Sequence, residues 1–391
     1  MRPARPVRWA LLTALVSGAL AVPALPATAA PVAEPTASVG VVVGEGSASA
    51  VRDQFVVSWR EPAAGRAAAR RIGARPLTTT PDGMVADLTT AAARHLAADP
   101  AVAAVEQDQW VRLSGVQRTS TWGLDRVDQR RLPLSRSYQY ARPSATVTAY
   151  VLDTGVRISH HEFAGRARYG WDTVDDDSSA GDCEGHGTHV AGIIGGATSG
   201  VAKYVKVVSV RVLNCKGWGT YSQISAGIDW VREHAVKPAV LNLSLGGPPS
   251  NIFDTSVKRA IEDGITVVAA AGNEHRNACG KSPARVPAVI TVAATDDQDY
   301  RPPFSNFGRC VDLFAPGVNI RSASRRGNSA FAYLSGTSMA APYVAGAAAV
   351  LLGAHPRWSP ARVAQALVAM STRGAVKRPG TATRNRLLYL P

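Results

Sequence analysis

The sequence predicts an α/β fold, with a mainly parallel sheet covered by helices on both faces and a small α+β unit ahead of it. Three observations predict it. Continuous Val- and Ala-rich runs recur at 147–152, 205–213, 239–245, 265–271 and 288–293, and strands that are apolar without alternation are buried on both faces, as parallel strands are. Helical stretches at 188–196, 222–233, 253–263 and 338–352 lie among and after these runs, and that alternation is the pattern of a sheet sandwiched between helices. Before residue 114 the texture is different, with three short strand-like segments around one helix and no long apolar run.

In that N-terminal part, 54–59 and 83–88 read as strands. Residues 90–98 read as a short helix that starts at Thr90 as N-cap and stops before Asp99-Pro100. A third strand, 101–105, continues in extended form over 106–113. About sixty residues of this kind make a domain of marginal core size. The polar stretch 114–121 reads as a linker, and 31–46, rich in Ala, Pro, Val and Gly, as a leader remnant.

The first thirty residues set the expected compartment. Arg2, Arg5 and Arg8 precede an apolar run over 9–22, and small residues follow at Ala27, Thr28, Ala29 and Ala30. This is the layout of a secretory signal peptide over 1–30, so the product is expected outside the cell and not in a membrane. Of 391 residues, 46% are hydrophobic and 18% charged, with a net charge of +14. The arginines are scattered rather than blocked, which argues against nucleic-acid binding. Export permits disulfides. Cys183, Cys215, Cys279 and Cys310 allow two bridges in any of three pairings, and none has the spacing of a zinc or redox motif.

In an open parallel sheet, chemistry collects at the carboxyl ends of the strands. The first long strand ends Leu152-Asp153-Thr154-Gly155. Gly185-His186-Gly187-Thr188-His189 opens a helix, with His189 already inside it and expected to be a packed structural histidine. Gly336-Thr337-Ser338-Met339 opens another helix, where unpaired N–H groups and a positive dipole end gather. Pro342 lacks an N–H, so the Ser338 carbonyl loses its i+4 partner. Serine becomes a nucleophile when a histidine takes its proton, and the histidine needs a carboxylate to orient it. Asp153, His186 and Ser338 supply those groups in the chain order Asp, His, Ser, which differs from the orders of chymotrypsin and the α/β-hydrolases. Asn273, in a glycine-containing turn after the strand at 265–271, can donate an amide N–H to a developing oxyanion, together with Ser338 N–H. No catalytic cofactor is required by such a site.

At these residues the chain resembles the subtilisin-like serine peptidases, and most closely the aqualysin-type enzymes of the proteinase K branch, over roughly residue 122 to the C-terminus. Trp122-Gly123-Leu124-Asp125 looks like the mature start of that branch. The resemblance implies a serine endopeptidase acting through an acyl-enzyme on protein and peptide substrates, with broad specificity, working as a monomer. Gly217, Trp218 and Gly219, with Ser244, Leu245 and Gly246, look like the segments that flank a bound peptide and pair with it as added strands. It further implies a peptidase domain over 122–391, an inhibitory propeptide over 47–113 and a processing linker over 114–121. The stretch 62–76 looks short for the first propeptide helix. Residues 106–113 are expected to enter the cleft as a product-like strand. The resemblance selects the pairings Cys183–Cys215 and Cys279–Cys310. It also implies structural calcium at Pro287, Val289 and Asp312, and at a second site of Asp125, Asp128, Gln129, Ser135 and Ser137, oxygen ligands that suit this ion. The acidic run Asp175-Asp176-Asp177 is expected to be a solvated loop. The chain departs from the family pattern at Ala341, Tyr343 and Val190.

Overall fold

The computed structural model describes residues 39–46, 50–109, 115–118, 120–140 and 143–391. The leader expected over 1–30 lies outside the described residues. The chain divides into two compact units, residues 1–109 and 110–391.

In the first unit, β1 (Ala50–Trp59), α1 (Pro62–Arg71), β2 (Arg75–Thr80), β3 (Gly83–Asp87), α2 (Thr90–Ala97) and β4 (Val102–Gln109) follow in order. The strands form an antiparallel sheet in the order β2-β3-β1-β4. Phe55, Val57, Leu96 and Val105 fill its core. Two elements differ from the sequence reading. The helix α2 is capped by Thr89, whose hydroxyl accepts from Ala92 N–H at 3.2 Å, and Thr90 is its first helical residue. The stretch 62–76 holds a full ten-residue helix, with Pro62 where proline is tolerated, at the first turn, followed by β2. Every residue of β2 is exposed, so no apolar alternation marked it.

The second unit opens with β5 (Gly115–Arg118), which pairs antiparallel with β6 (Ser137–Tyr140) across α3 (Trp122–Val127). Part of the stretch read as a linker is therefore a strand of the larger unit. Gln117 bonds the carbonyl of Thr198 (2.9 Å) and the ammonium of Lys203 (2.5 Å). The main strands are β7 (Thr148–Asp153), β8 (Ala167–Asp172), β9 (Lys206–Arg211), β10 (Ala239–Leu243), β11 (Thr266–Ala270), β12 (Ile290–Thr295) and β13 (Leu313–Pro316). A ribbon of β14 (Ile320–Ala323) and β15 (Phe331–Leu334) follows, then β16 (Thr372–Arg373) and β17 (Arg386–Leu387). Among the described residues nine strands form one sheet, in the order β16-β17-β13-β12-β11-β10-β7-β9-β8. Every pair is parallel except β16 with β17.

The continuous apolar runs are explained by two faces that are both covered. Ala149 and Val151 of β7 point to one core, with α4 (His186–Gly195) and α7 (Thr337–Ala354). Tyr150 and Leu152 point to the other, with α5 (Tyr221–His234) and α6 (Asn251–Glu262). The helix α7 is apolar on all sides and mostly buried, as such a helix in a large core must be. A last helix, α8 (Pro360–Met370), adds Val363 and Leu367 to the same core.

Candidate active site

The sheet order puts the ends of β7, β10 and β11 side by side, and the expected site residues follow directly from them. Asp153 is the last residue of β7 and is fully buried. Its Oδ1 accepts from His186 Nδ1–H at 2.7 Å and from Thr154 N–H at 2.8 Å, and Oδ2 is buried without a partner. The proton on Nδ1 leaves Nε2 of the neutral ring as a base. His186 is the first residue of α4. The glycines beside it are there for backbone reasons. Gly185 has φ of +122°, and a Cβ on Gly187 would lie 2.1 Å from the Gly155 carbonyl oxygen. Only glycine at 187 lets the helix start this close to the end of β7.

Asp182 ties these two pieces together, and the sequence reading passed over it. Its carboxylate accepts from Thr154 Oγ1 (3.0 Å), Glu184 N (2.9 Å), Gly185 N (2.7 Å), Thr188 N (2.9 Å) and Thr188 Oγ1 (2.5 Å). One carboxylate thus caps the first turn of α4 and holds the turn after Asp153. The signal was the acid four residues before the histidine, in Asp-Cys-Glu-Gly-His. Burial opposes charging of His186. Asp153, Glu184 and Asp182 outweigh it, so the imidazole titrates above its ordinary value of 6.5.

Ser338 is the second residue of α7. Thr337 fixes its neighbour Asn273. Thr337 N–H (2.8 Å) and Oγ1–H (3.0 Å) both donate to Asn273 Oδ1, and Thr337 Oγ1 in turn accepts from Gly272 N–H (3.1 Å). With its oxygen committed to two donors, the Asn273 amide must present its NH₂ outward. A Cβ built on Gly336 would lie 3.4 Å from Asn273 Nδ2 and 3.6 Å from Ser338 N. Two donors therefore border one small space next to the serine, the arrangement that holds an oxyanion.

His186, Asn273 and Ser338 line one cavity of about 480 Å³. Gly217, Trp218 and Gly219 form one of its walls, and Ser244, Leu245 and Gly246 another. Trp218 is 72% exposed and borders this cavity. The cavity also takes in Glu184, Tyr221 and the Glu274–Lys281 ion pair (2.8 Å), none of which the sequence reading assigned. His189 is fully buried, its Nε2–H shared between the carbonyls of Ile320 and Ala332. Burial pushes it down to about 4, so it is a neutral packing residue.

A subtilase family model matches residues 144–385. The extracellular serine proteinase of Thermus sp. is 54% identical, over 76% of this chain and 72% of that protein. The alkaline serine exoprotease A of Vibrio alginolyticus is 46% identical, over 78% of this chain and 58% of that protein. Among solved structures, a cold adapted subtilisin-like serine proteinase superposes with a TM-score of 0.68 and 48% identity, covering 69% of this chain and 98% of its own.

This chain belongs to the subtilase family. It is a subtilisin-like serine proteinase, and subtilases need no catalytic cofactor. Ala341, Tyr343 and Val190, where the sequence was expected to depart from the family pattern, are all core residues and none lines the cavity. Tyr343 is accommodated by Gly123, on which a Cβ would fall 2.0 Å from the tyrosine hydroxyl.

The structure links Cys183 with Cys215 and Cys279 with Cys310, with Cα atoms 5.0 and 5.3 Å apart. The first bridge joins the loop before His186 to the loop that carries Gly217. Asp175 of the acidic run pairs with Arg211 at 2.6 Å.

The oxygens expected to hold calcium differ in what they lack. At the second site Asp125 accepts from Ser135 N–H (3.1 Å), Ser135 Oγ–H (3.0 Å), Arg136 N–H (2.5 Å) and the Gln129 amide. Asp128 keeps one buried oxygen unpartnered, and Ser135 and Ser137 hydroxyls stand 2.8 Å apart. Burial, with Asp125 nearby, pushes Asp128 up to about 6. Asp128 is half-buried, with Gln139 N–H on its other oxygen at 2.8 Å, and a carboxylate oxygen left unpartnered is a donor of the kind a hard cation takes. Asp312 is likewise pushed up to about 6 by burial. Thr291 N–H (3.0 Å) and the exposed Arg384 (3.4 Å) are its partners, so a cationic side chain already stands beside this carboxylate.

Proposed function

We propose that this subtilase hydrolyses peptide bonds in extracellular proteins through a triad of Asp153, His186 and Ser338. The observation that carries this reading is the 2.7 Å bond from His186 to the buried Asp153, in the wall of the cavity that also presents Ser338. An extended substrate pairs its backbone with 217–219 on one side and 244–246 on the other. Ser338 Oγ attacks the scissile carbonyl carbon as His186 Nε2 takes the hydroxyl proton. The displaced π electrons become an oxyanion, held by Asn273 Nδ2–H and Ser338 N–H. The C–N bond then breaks, His186 gives its proton to the departing amine, and water repeats the sequence in reverse on the acyl-enzyme. Asp153 holds the ring in its tautomer and stabilises the imidazolium. The glycines of both walls leave an open site, consistent with broad specificity. No hydrogen bond joins His186 to Ser338 here, and such bonds tighten when substrate docks.

The same reading includes export and activation. Residues 1–30 act as signal peptide, 47–113 as an inhibitory propeptide, and cleavage within 114–121 releases a monomeric peptidase of 122–391. The extracellular naming of the Thermus relative supports export. Calcium at Asp312 with the carbonyls of Pro287 and Val289, and at Asp125, Asp128, Gln129, Ser135 and Ser137, would supply positive charge to these carboxylates and so stabilise the fold.

The test is Ser338→Ala, expressed in a host without other secreted proteases. It is expected to hydrolyse no casein and to accumulate as precursor. Maturation and casein hydrolysis at the wild-type rate would overturn the reading.

A further inference from the structure

Pro342 interrupts α7 from inside. Lacking an N–H, it leaves the carbonyl of Ser338 without the helical donor that residue i+4 ordinarily supplies. In this structure the missing donor comes from another segment. Ser244 Oγ–H donates to Ser338 O at 2.8 Å, and Ser244 Oγ accepts from Asn242 Nδ2–H at 2.9 Å. Both partner side chains are buried, Asn242 completely and Ser244 to 3% exposure. The hydroxyl has one proton, so donation to a carbonyl obliges it to receive from Asn242. The direction of the chain, Asn242 to Ser244 to Ser338, is therefore set by the groups themselves. Asn242 belongs to β10 and Ser244 follows its end, so the relay runs from the middle of the sheet to the backbone of the serine.

We infer that Ser244, through its side chain, is a positioning residue for Ser338, acting as the donor that Pro342 removes. The inference rests on Ser338 being the nucleophile. It adds a second task to a residue whose backbone lines the substrate cleft. One peptide plane of Ser338 carries the N–H that faces the oxyanion space, and the next carries the carbonyl that Ser244 holds. Fixing the second plane fixes the φ and ψ of Ser338, and with them where Oγ starts from. A misplacement of order 1 Å in a reacting group costs up to about a hundredfold in rate. Proline at 342 and serine at 244 form a matched pair. The proline keeps a helical amide from claiming the carbonyl, and the serine claims it from the cleft side.

The test is a double-mutant cycle in the full-length chain, read after secretion and maturation. Ser244→Ala is expected to lower kcat on a chromogenic peptide about tenfold, equivalent to about 1.4 kcal/mol, with KM within about twofold of wild type, because the backbone of the cleft wall is retained. Inactivation by phenylmethylsulfonyl fluoride, which reads attack by the serine with little peptide binding, is expected to slow by the same factor. Pro342→Ala returns an N–H to the carbonyl. In that background Ser244→Ala is expected to cost less than threefold. That rescue is what separates positioning from packing, since a cavity at 244 is not filled by a change at 342. Where Ser244→Ala does not accumulate, Ser244→Cys, similar in size and a weak donor, is read in its place with the same expectation. Wild-type kcat in the single variant, or an equal loss with and without Pro342, would overturn the role of Ser244. Labelling of Ser338→Ala by the same reagent at the wild-type rate would overturn instead the assignment of the nucleophile.

Discussion

Thr337→Val removes one hydroxyl and leaves the shape of the side chain nearly unchanged. In wild type that hydroxyl donates to Asn273 Oδ1 at 3.0 Å and accepts from Gly272 N–H at 3.1 Å. The backbone bond from Thr337 N–H to Asn273 Oδ1, at 2.8 Å, survives. Asn273 is exposed and lines the cleft, and the hydrogen bonds that hold its side chain both come from Thr337. Loss of one neutral hydrogen bond is worth about 1 kcal/mol, and the stranded Gly272 N–H adds a fraction of that. The expected loss in kcat is therefore about tenfold. It stays below the roughly 10²–10³ that follows removal of an oxyanion donor altogether in a subtilisin. The assay is kcat and KM on a chromogenic peptide, with Thr337→Ser as control. The serine variant keeps the hydroxyl and is expected within threefold of wild type, and KM is expected to move little in either. A Thr337→Val enzyme within twofold of wild type in kcat, or a serine variant as slow as the valine, would refute the claim that Thr337 aims the Asn273 amide.

Other outcomes follow from the same geometry. His186 must be neutral to accept a proton, so activity appears as pH rises through its raised pKa. Glu184 contributes to that rise, and Glu184→Gln is expected to move the acidic limb of kcat/KM to lower pH, while an unmoved limb would remove Glu184 from the electrostatics of the site. The Cys279–Cys310 bridge spans 31 residues, for which the chain-entropy relation gives about 3.7 kcal/mol. Replacing both cysteines by serine is expected to lower Tm by about 7–15 °C in a unit of this size, and an unchanged scanning-calorimetry trace would contradict it. Chelation of the mature enzyme is expected to lower Tm by several degrees, with Asp128→Asn and Asp312→Ala each shrinking the difference. Identical melts with chelator and with excess calcium would show that these carboxylates hold no ion of consequence. The isolated 47–113 peptide is expected to inhibit the mature enzyme at micromolar concentration until it is digested, and no inhibition would remove the propeptide role.

The parallel sheet was legible because its strands are covered twice. Ala149 and Val151 face one core and Tyr150 and Leu152 the other, so the runs carry no polar alternation. The first unit was harder to read. The exposed β2 has no buried face to leave a pattern, and adjacent Thr89 and Thr90 are separated as caps only by the extended backbone of Thr89 and its bond from Ala92 N–H. Asp153, His186, Ser338 and Asn273 were recognisable because each combines a special residue type with a strand end or helix start. Thr337 and the Ser244 side chain were not read, because their work is done through hydrogen bonds to residues far away in the chain; Asp182 was passed over although most of its partners, Glu184, Gly185 and Thr188, lie close by in sequence. Ser244 and Ser338 are 94 residues apart, and only the adjacency of β10 and β11 beneath α7 brings them together. The unpaired carbonyl of Ser338 was visible in the sequence through Pro342, while its donor was not.

The central claim is that Ser338 is the residue whose oxygen is acylated, with His186 as its base. The most direct measurement is peptide mapping by mass spectrometry after incubation with a sulfonyl fluoride, run in parallel on wild type, His186→Ala and Ser338→Ala. The account predicts one adduct in the wild type, on the peptide carrying Ser338, appearing in step with the loss of activity. It predicts labelling slowed by at least a hundredfold in His186→Ala, and none at that peptide in Ser338→Ala. An adduct on another residue that tracks inactivation, or full activity in enzyme stoichiometrically labelled at Ser338, would contradict it.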